Sequence, residues 1–210
     1  MKNWIKVYQK EYKPLLNVNA NGGKRGLDGR LYNRAEGYEL IFKYLLESKN
    51  ENFQIIETGT VRNPNNWKDG NSGFLFSEFV KNYGGFVRSV DIDPTAVEAA
   101  NSFIDNNYYR SHCSDSVTWL SSQDDLSTVD LFYLDSWDVE WANDEPSASH
   151  HLKEFKAIEP FLRVGSIVAI DDNAIKLDRT RTGKGRMIVE YLSEKNIDPV
   201  YDQYQIIYRF

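Results

Sequence analysis

The chain has 210 residues, enough for one α/β domain with a substantial core and too few for two ordinary enzyme domains. Its formal net charge of -6 argues against nucleic acid as a partner, because non-specific binding needs lysine and arginine to neutralise phosphates. The one cysteine, Cys113, excludes an intrachain disulfide and a cysteine-based zinc site. No segment has the apolar length of a signal peptide or a membrane span, so we expect a soluble, cytoplasmic protein with no membrane partner.

The N-terminal segment, residues 1–33, has no clear apolar period. It contains glycines interspersed with basic residues: Gly22, Gly23, Lys24, Arg25, Gly26, Gly29 and Arg30. We interpret it as an N-terminal arm or flap, followed by one domain over residues 34–210. From Arg34 the pattern changes, since apolar residues recur at the spacing of one helix face: Tyr38, Ile41, Phe42 and Leu45.

Five short apolar runs follow, and each ends in a carboxylate. They span residues 53–57, 86–91, 108–115, 129–135 and 166–172. Helical patterns separate most of them, with Asp93–Pro94 and Ser147 as expected helix starts and Gly84 and Gly165 as expected ends. The last two apolar segments, 199–201 and 205–210, are too close in sequence for a parallel crossover, so we expect them to pair antiparallel.

This alternation predicts an α/β fold with a doubly wound, Rossmann-like, mostly parallel sheet of seven strands, an antiparallel last strand and helices on both faces. The carboxyl ends of parallel strands lie along one edge, so the acids at the strand ends would line a single crevice. Open α/β sheets bind their ligands in that crevice. Desolvated carboxylates need partners, which favours a ligand rich in hydroxyl and ammonium groups, a metal ion, or both.

The first turn, residues 57–60, lies where nucleotide-like cofactors meet backbone amides and a helix N-terminus. It lacks the glycine pattern of a dinucleotide site, which argues against NAD or FAD, and a lone glycine is often only a turn. Asp91 lies where an acid accepts hydrogen bonds from ribose hydroxyls, or is merely a solvated strand end. Asp115 accepts from an adenine amine in one interpretation and caps the next helix in the other.

Five motifs together carry a family resemblance. They are Glu-x-Gly-x at 57–60, Ser-Val-Asp-Ile-Asp-Pro at 89–94, Ser-Asp-Ser-Val-Thr-Trp-Leu at 114–120, Asp-Leu-Phe-Tyr-Leu-Asp at 130–135 and Gly-Ser-Ile-Val-Ala-Ile-Asp-Asp-Asn at 165–173. Over about residues 35–210 the chain resembles class I S-adenosylmethionine-dependent methyltransferases. The resemblance implies these S-adenosylmethionine-binding residues: Glu57, Thr58, Gly59, Thr60, Ser72, Asp91, Ile92, Ser114, Asp115, Ser116 and Asp135.

Within that superfamily the chain is most similar to metal-dependent small-molecule O-methyltransferases of the catechol and macrolide-sugar kind. Residues 134–137 and 172–173 match segments that supply magnesium ligands, so the resemblance implies Asp135, Asp172 and Asn173 as ligands, and the sugar-modifying relatives add Asp171. Neighbouring strands lie about 4.8 Å apart, close enough for oxygens at their ends to share an ion. Oxygen donors alone favour magnesium or calcium over zinc. The alternative is that these residues only cap a turn and end a strand.

The catechol enzymes have a lysine base three residues after the metal-binding aspartate, and here that position is Asp138. The candidate catalytic residues are therefore Asp138, His150 and His151; in the alternative interpretation the two histidines start an amphipathic helix, one of them solvated and the other packed. A basic loop over residues 176–186 is a solvated loop or an anchor for a substrate anion. Trp137, directly after Asp135, is a candidate contact for the acceptor.

The predicted function is an S-adenosylmethionine-dependent, magnesium-assisted O-methyltransferase acting on a small hydroxylated molecule. Two alternatives stay open: a cephalosporin-hydroxylase-like enzyme of the same fold with other chemistry, and a non-catalytic S-adenosylmethionine-binding module. The expected partner is a small-molecule acceptor.

Overall fold

The computed structural model describes residues 3–19, 34–64, 66–176 and 178–210. Its strands are β1 (Phe53–Thr58), β2 (Gly85–Asp91), β3 (Tyr109–Cys113), β4 (Leu131–Leu134), β5 (Ile167–Ile170), β6 (Asn173–Ile175), β7 (Arg181–Gly183), β8 (Tyr201–Asp202) and β9 (Ile206–Arg209). Seven of them form one sheet in the order β3-β2-β1-β4-β5-β9-β8, and β6 pairs with β7 in a separate hairpin. Strands β1 to β5 pair in parallel, whereas β9 is antiparallel to β5 and to β8. The predicted fold class is thereby confirmed.

The helices are α1 (Trp4–Val7), α2 (Lys13–Asn19), α3 (Ala35–Ser48), α4 (Ser72–Tyr83), α5 (Pro94–Phe103), α6 (Ser116–Ser121), α7 (Glu145–Ile158) and α8 (Arg186–Ser193). A π-helical turn, Tyr8–Tyr12, joins α1 to α2. None of the helices in the described part of the chain combines the length and apolar character that a membrane span requires.

The central strands are buried on both faces, which explains their continuous apolar sequence. Side chains alternate between the faces, so Ile55 of β1 belongs to one core cluster and its neighbour Ile56 to the other. The first cluster includes residues of α1, α3 and α4. The second includes residues of α7 and α8. Two packed layers of helix therefore hold the sheet rigid and fix the edge at which the strands end.

Two expected helix boundaries are confirmed and two are wrong: α7 ends at Ile158, well before Gly165, and it begins before Ser147. Asp93 caps α5 by accepting the Thr95 amide hydrogen at 2.8 Å, and Pro94 follows in the first turn. Gly84 ends α4 with φ +78°. Ser147, expected as a cap, lies inside α7, because Pro146 already occupies the first turn of that helix.

The N-terminal residues that lack an apolar period are helical over residues 4–19. Trp4, Tyr8 and Leu16 are buried in the first core cluster, so these helices pack against the sheet domain. The glycines on which the arm interpretation rests lie outside the described residues. Whether residues 1–33 form a separate unit therefore stays a prediction.

Tyr8→Phe is expected to lower the free energy of unfolding by about 1 kcal/mol, because the buried Tyr8 hydroxyl donates to the Ala35 carbonyl at 2.7 Å. Urea denaturation followed by circular dichroism measures the loss. Tyr12→Phe is the matched control, since Tyr12 is only partly buried, and it is expected to change little. Equal effects of the two variants would contradict specific docking of the N-terminal helices through Tyr8.

The sequence did not predict the β6–β7 hairpin, which replaces the first part of the expected basic loop. Asn173 pairs with Gly183, and Ile175 pairs with Arg181. Gly183 has φ +113°, and a Cβ there would lie 2.2 Å from the Asp172 carbonyl oxygen, so the chain needs glycine at this close approach. The hairpin turns the following residue, Lys184, back over the sheet edge.

Candidate active site

Two adjoining cavities open at the carboxyl ends of β1, β2 and β4, where the strand order reverses. Their volumes are about 430 and 290 Å³. They share four lining residues: Asp91, Ile92, Ser136 and Trp137. The predicted crevice therefore exists as one cleft with two compartments, which we call the large and the small compartment, but Asp171 and Asp172 line neither of them.

Most of the predicted cofactor residues meet in this cleft. The large compartment is lined by Glu57, Gly59, Thr60, Ser72, Asp91, Ile92 and Asp135, and the small one by Asp91, Ile92, Asp115 and Ser116. Thr58 and Ser114 line neither compartment. Thr58 is buried below the floor, where its hydroxyl donates to Glu154 at 3.1 Å.

Glu57 is the buried carboxyl group at the end of β1. Only 1% of it is exposed, and burial raises its pKa to about 8. The Ser72 hydroxyl, in the first turn of α4, donates to Oε1, while Oε2 has no hydrogen-bond partner among the described residues. An unpartnered buried oxygen at the wall of a cavity is a ready acceptor for a donor group of a ligand.

Gly59 and Asp91 shape the turn beside Glu57. Gly59 has φ +83°, and a Cβ there would lie 2.5 Å from the Asp135 carbonyl oxygen, so only glycine fits. Asp91 accepts backbone amide hydrogens from Thr60 at 3.1 Å and from Asp93 at 2.8 Å. The carboxylate therefore fixes this turn while still facing the cleft, and burial raises its pKa.

Asp115 does what the capping interpretation expects. Its side chain accepts the Thr118 amide hydrogen at 2.8 Å at the start of α6, and this hydrogen bond lowers its pKa. It also lines the small compartment. Asp115 can therefore cap α6 and contact a ligand at the same time.

Glu154 joins four elements beneath the cleft and was not predicted. It is fully buried and accepts hydrogen bonds from Ser116, from Ser136 at 2.6 Å and from Thr58 at 3.1 Å. Burial alone would raise its pKa, but nearby His151 and these donors lower it to about 2. The available signal was its place in α7, directly beside Phe155 and four residues before Ile158, on the helix face that is otherwise apolar.

The three candidate catalytic residues lie in different places. Asp138 lines the large compartment and pairs with Arg62 at 2.7 and 3.0 Å, which lowers its pKa. His150 lines the small compartment, and its Nε2 lies 2.8 Å from the Ser116 hydroxyl. His151 is fully buried, contacts the Ser147 carbonyl and lines neither compartment. Burial lowers its pKa to about 4, so it is neutral near pH 7.

Three of the four predicted metal ligands form a cluster at the ends of β4 and β5. Asp135, Asp171 and Asp172 each bring one carboxylate oxygen within 4.8 Å of the others. Asn173 is occupied differently: its Oδ1 accepts the Gly185 amide hydrogen at 2.7 Å, and its Nδ2 donates to carbonyls of Ile170 and Asp171. Its amide therefore holds the hairpin in place.

Two cations that the sequence did not place here pair with the carboxylate cluster. The Lys184 ammonium contacts Asp135 and lies 2.9 Å from Asp172. Arg34 contacts Asp171 at 2.5 Å and Asp172 at 2.9 Å. Burial opposes the positive charges, but the neighbouring carboxylates outweigh it and raise the pKa of both cations.

Other residues of the basic loop have structural partners. Arg181 forms two contacts with Asp202, at 2.7 and 2.6 Å, and Arg186 pairs with Asp144 at 3.0 Å. Lys176 and Arg179 are exposed. The loop thus stabilises the fold around the cleft, and Lys184 is the member of it that reaches the carboxylate cluster.

No protein-family model and no curated protein matches the chain. Among solved structures, it is similar to the MycE methyltransferase of mycinamycin biosynthesis in complex with Mg, SAH and mycinamycin VI, with TM-score 0.59, 15% identity and coverage of 96% of this chain and 54% of that one. A second MycE complex with Mg and SAH gives TM-score 0.55, 17% identity and coverage of 92% and 53%. The apo structure of CalS11, a TDP-rhamnose 3'-O-methyltransferase of calicheamicin biosynthesis, gives TM-score 0.55, 15% identity and coverage of 98% of this chain and 90% of that one.

The chain has the fold of class I S-adenosylmethionine-dependent methyltransferases, and the predicted resemblance is confirmed at that level. It spans about half the length of the MycE chains and most of the CalS11 chain. Fold alone does not define chemistry, so the function has to be argued from the cleft.

Proposed function

We propose that the protein is an S-adenosylmethionine-dependent O-methyltransferase acting on a small hydroxylated molecule. The observation that carries this proposal is the two-compartment cleft at the reversal of strand order, where Glu57, Gly59 and Asp91 face Asp135 and Trp137. Ligands of open α/β sheets bind at this position. The MycE structures of the same fold contain SAH.

The residues that line the cleft match the successive parts of S-adenosylmethionine. Asp91 would accept hydrogen bonds from the ribose hydroxyls, and the free oxygen of Glu57 would accept one from the α-ammonium group. Ile92, whose side chain is 73% exposed, and Ser116 would flank the adenine in the small compartment. The cofactor carries two positive charges and one carboxylate, and its net positive charge matches a large compartment lined by seven acidic residues and one arginine.

The acceptor would enter the large compartment beside Trp137, which is 53% exposed at its rim. An acceptor oxygen attacks the methyl carbon as the bond from carbon to sulfur breaks, the bonding electrons remain on sulfur, and the hydroxyl proton leaves to water. Asp138 is a weak base because Arg62 lowers its pKa. We therefore assign Asp138 and Arg62 to orienting the acceptor hydroxyl.

Magnesium assistance is the finer form of this proposal, and the residues fit it poorly. Three carboxylates are suitable oxygen donors for magnesium. However, the Lys184 ammonium is hydrogen-bonded to two of them and Arg34 to the third. We therefore derive no catalytic step through a metal ion.

Calorimetric titration with S-adenosylmethionine and with SAH tests the proposal, followed by turnover assays on hydroxylated acceptors. We expect saturable binding of both compounds and conversion of S-adenosylmethionine to SAH. Absence of binding of both compounds at millimolar concentration would contradict the proposal. Tight binding without turnover on any acceptor would support the non-catalytic binding module instead.

Asp91→Ala is expected to weaken SAH binding by about tenfold to a hundredfold, because it removes a charged acceptor worth about 1.5–3 kcal/mol. The change also removes the hydrogen bond from the Thr60 amide that fixes the turn. Calorimetry measures the change. Asp124→Asn is the matched control, since Asp124 is exposed and lines neither compartment. Unchanged affinity in Asp91→Ala would show that ribose is bound elsewhere.

A further inference from the structure

The carboxylate cluster of Asp135, Asp171 and Asp172 has the composition of a metal site, yet two side chains of this chain already neutralise most of its charge. We propose that Lys184 and Arg34 take the place of a divalent cation, so that the cleft works without a bound metal ion. A cleft that works without metal rests on the proposed function, whereas pairing of the cluster with two cations follows from its geometry.

The first support is the position of the Lys184 ammonium. It is hydrogen-bonded to Asp135 and lies 2.9 Å from Asp172, so it bridges residues at the ends of β4 and β5. A magnesium ion shared by the same two carboxylates would need to lie about 2.1 Å from an oxygen of each. The ammonium and the ion therefore compete for one location.

The second support is the pairing of the remaining oxygens. Arg34 donates to Asp171 from Nε and to Asp172 from Nη2, the latter at 2.9 Å. The Tyr204 hydroxyl also donates to Asp172, and the Arg34 guanidinium lies 4.9 Å from the Tyr204 ring centre. Both oxygens of Asp172 and one of Asp171 are thus engaged by donors of this chain. A metal ion would have to displace these charge-assisted hydrogen bonds.

The third support is burial and charge. Lys184 is 1% exposed and the Arg34 side chain 13%, so both cations are largely shielded from water. Two cationic side chains face three carboxyl groups. A divalent ion added beside both cations would meet strong repulsion at this short range, where the effective dielectric is well below that of water. Removal of Lys184 or Arg34 would leave buried carboxylate oxygens without a charged partner.

The backbone holds Lys184 in this position. Its amide donates to the Asp172 carbonyl at 3.2 Å, and the next amide, of Gly185, donates to Asn173 Oδ1 at 2.7 Å. The close approach of Gly183 to Asp172 closes the same turn. The hairpin thus builds the cation into the cluster, and the sequence-predicted ligand Asn173 serves to position it.

Binding of Mn²⁺, a paramagnetic substitute for magnesium, tests the inference without any activity assay. Electron paramagnetic resonance is used to titrate the wild type, Lys184→Ala, Lys184→Gln and the control Lys176→Ala, in which an exposed lysine of the same loop is removed. Circular dichroism checks that each variant is folded. We expect the wild type and Lys176→Ala to bind no Mn²⁺ up to millimolar concentration, and the folded Lys184 variants to bind one ion about tenfold or more tightly than the wild type.

Two results would overturn the inference: stoichiometric Mn²⁺ binding by the wild type, or no gain in a folded Lys184 variant. SAH titration of the wild type with and without EDTA is run on the same preparation. Equal SAH affinity in both conditions and turnover in EDTA support a cleft that works without metal, whereas loss of either in EDTA contradicts it. Failure of SAH to bind at all would remove the proposed function and leave the Mn²⁺ result to decide the cluster.

Discussion

Glu57→Gln is expected to abolish a large pH-dependent component of stability. The folded protein holds the Glu57 proton up to a pKa of about 8, against 4.5 for the free side chain. Because the folded state binds this proton more tightly, its contribution is complete below pH 4.5 and is lost as the pH rises through 8. The difference corresponds to about 5 kcal/mol in order of magnitude. The glutamine variant, which carries no titrating group there, should lack this loss.

Urea denaturation of both proteins at several pH values between 5 and 8.5 measures the effect. Glu98→Gln is the control, since Glu98 is exposed on α5 and its removal should leave the wild-type pH dependence in place. A wild type and a Glu57→Gln variant with parallel stability profiles would show that Glu57 is ionised in the folded protein at neutral pH.

The same carboxyl group links pH to the proposed cofactor. Pairing of Glu57 with the α-ammonium of SAH would favour the ionised carboxylate, so binding at pH 7 should release a proton, and affinity should rise as the pH approaches 8. Calorimetry in buffers of different ionisation enthalpy counts the proton. Glu57→Gln should bind SAH more weakly and release none.

Glu154→Ala is expected to destabilise the protein by about 3–5 kcal/mol. The change removes the carboxylate that accepts hydrogen bonds from Thr58, Ser116 and Ser136. These three hydroxyls beneath the cleft would then lack that acceptor. Because Ser116 and Ser136 line the compartments, SAH binding should weaken as well. Urea denaturation and calorimetry measure the two effects.

Two variants calibrate the Glu154 result. Glu154→Gln keeps an acceptor oxygen and should lose less stability than Glu154→Ala. Glu145→Gln removes an exposed carboxylate from the start of the same helix and should change stability by less than about 1 kcal/mol. Comparable losses in Glu145→Gln and Glu154→Ala would mean that helix charge, and not the buried acceptor, is responsible. The lowered pKa of Glu154, about 2, also implies that its contribution is present above pH 4.5 and lost on acidification toward 2.

The strand-end acids were predictable because each lies at the end of a continuous apolar run, a local pattern. Glu57 and Asp91 lie at the carboxyl ends of β1 and β2, Asp135 directly follows β4, and all three line the cleft. The turn at Gly59 was predictable for the same reason, since a glycine directly after a strand marks a backbone that other residues cannot adopt. The magnesium ligand set and the roles of Asp138, His150 and His151 stay predictions.

The partners of those acids were not predictable. Arg34 lies 137 residues from Asp171, and Lys184 lies 49 residues from Asp135. No periodicity or spacing in the sequence indicates either pairing, because both pairings depend on how α3 and the β6–β7 hairpin approach the sheet edge. Lys184 was one of several basic residues in a loop, and only its direction distinguishes it from Lys176. Glu154 had a weak signal, an acid on an apolar helix face, but its three hydroxyl partners come from segments distant in the sequence.

The sequence by itself determined the alternation of the main-sheet strands with helices from α3 onward, the acids at the strand ends and the position of the cleft, because these follow from local apolar periodicity and from the rule that parallel strands end together. The tertiary structure alone decided which charges face those acids. Electrostatic pairing acts through space over a few ångströms and depends on burial, so it depends on packing between segments far apart in the chain. The carboxylate cluster that resembles a metal site in sequence is, for that reason, a site already filled by Lys184 and Arg34 in the fold.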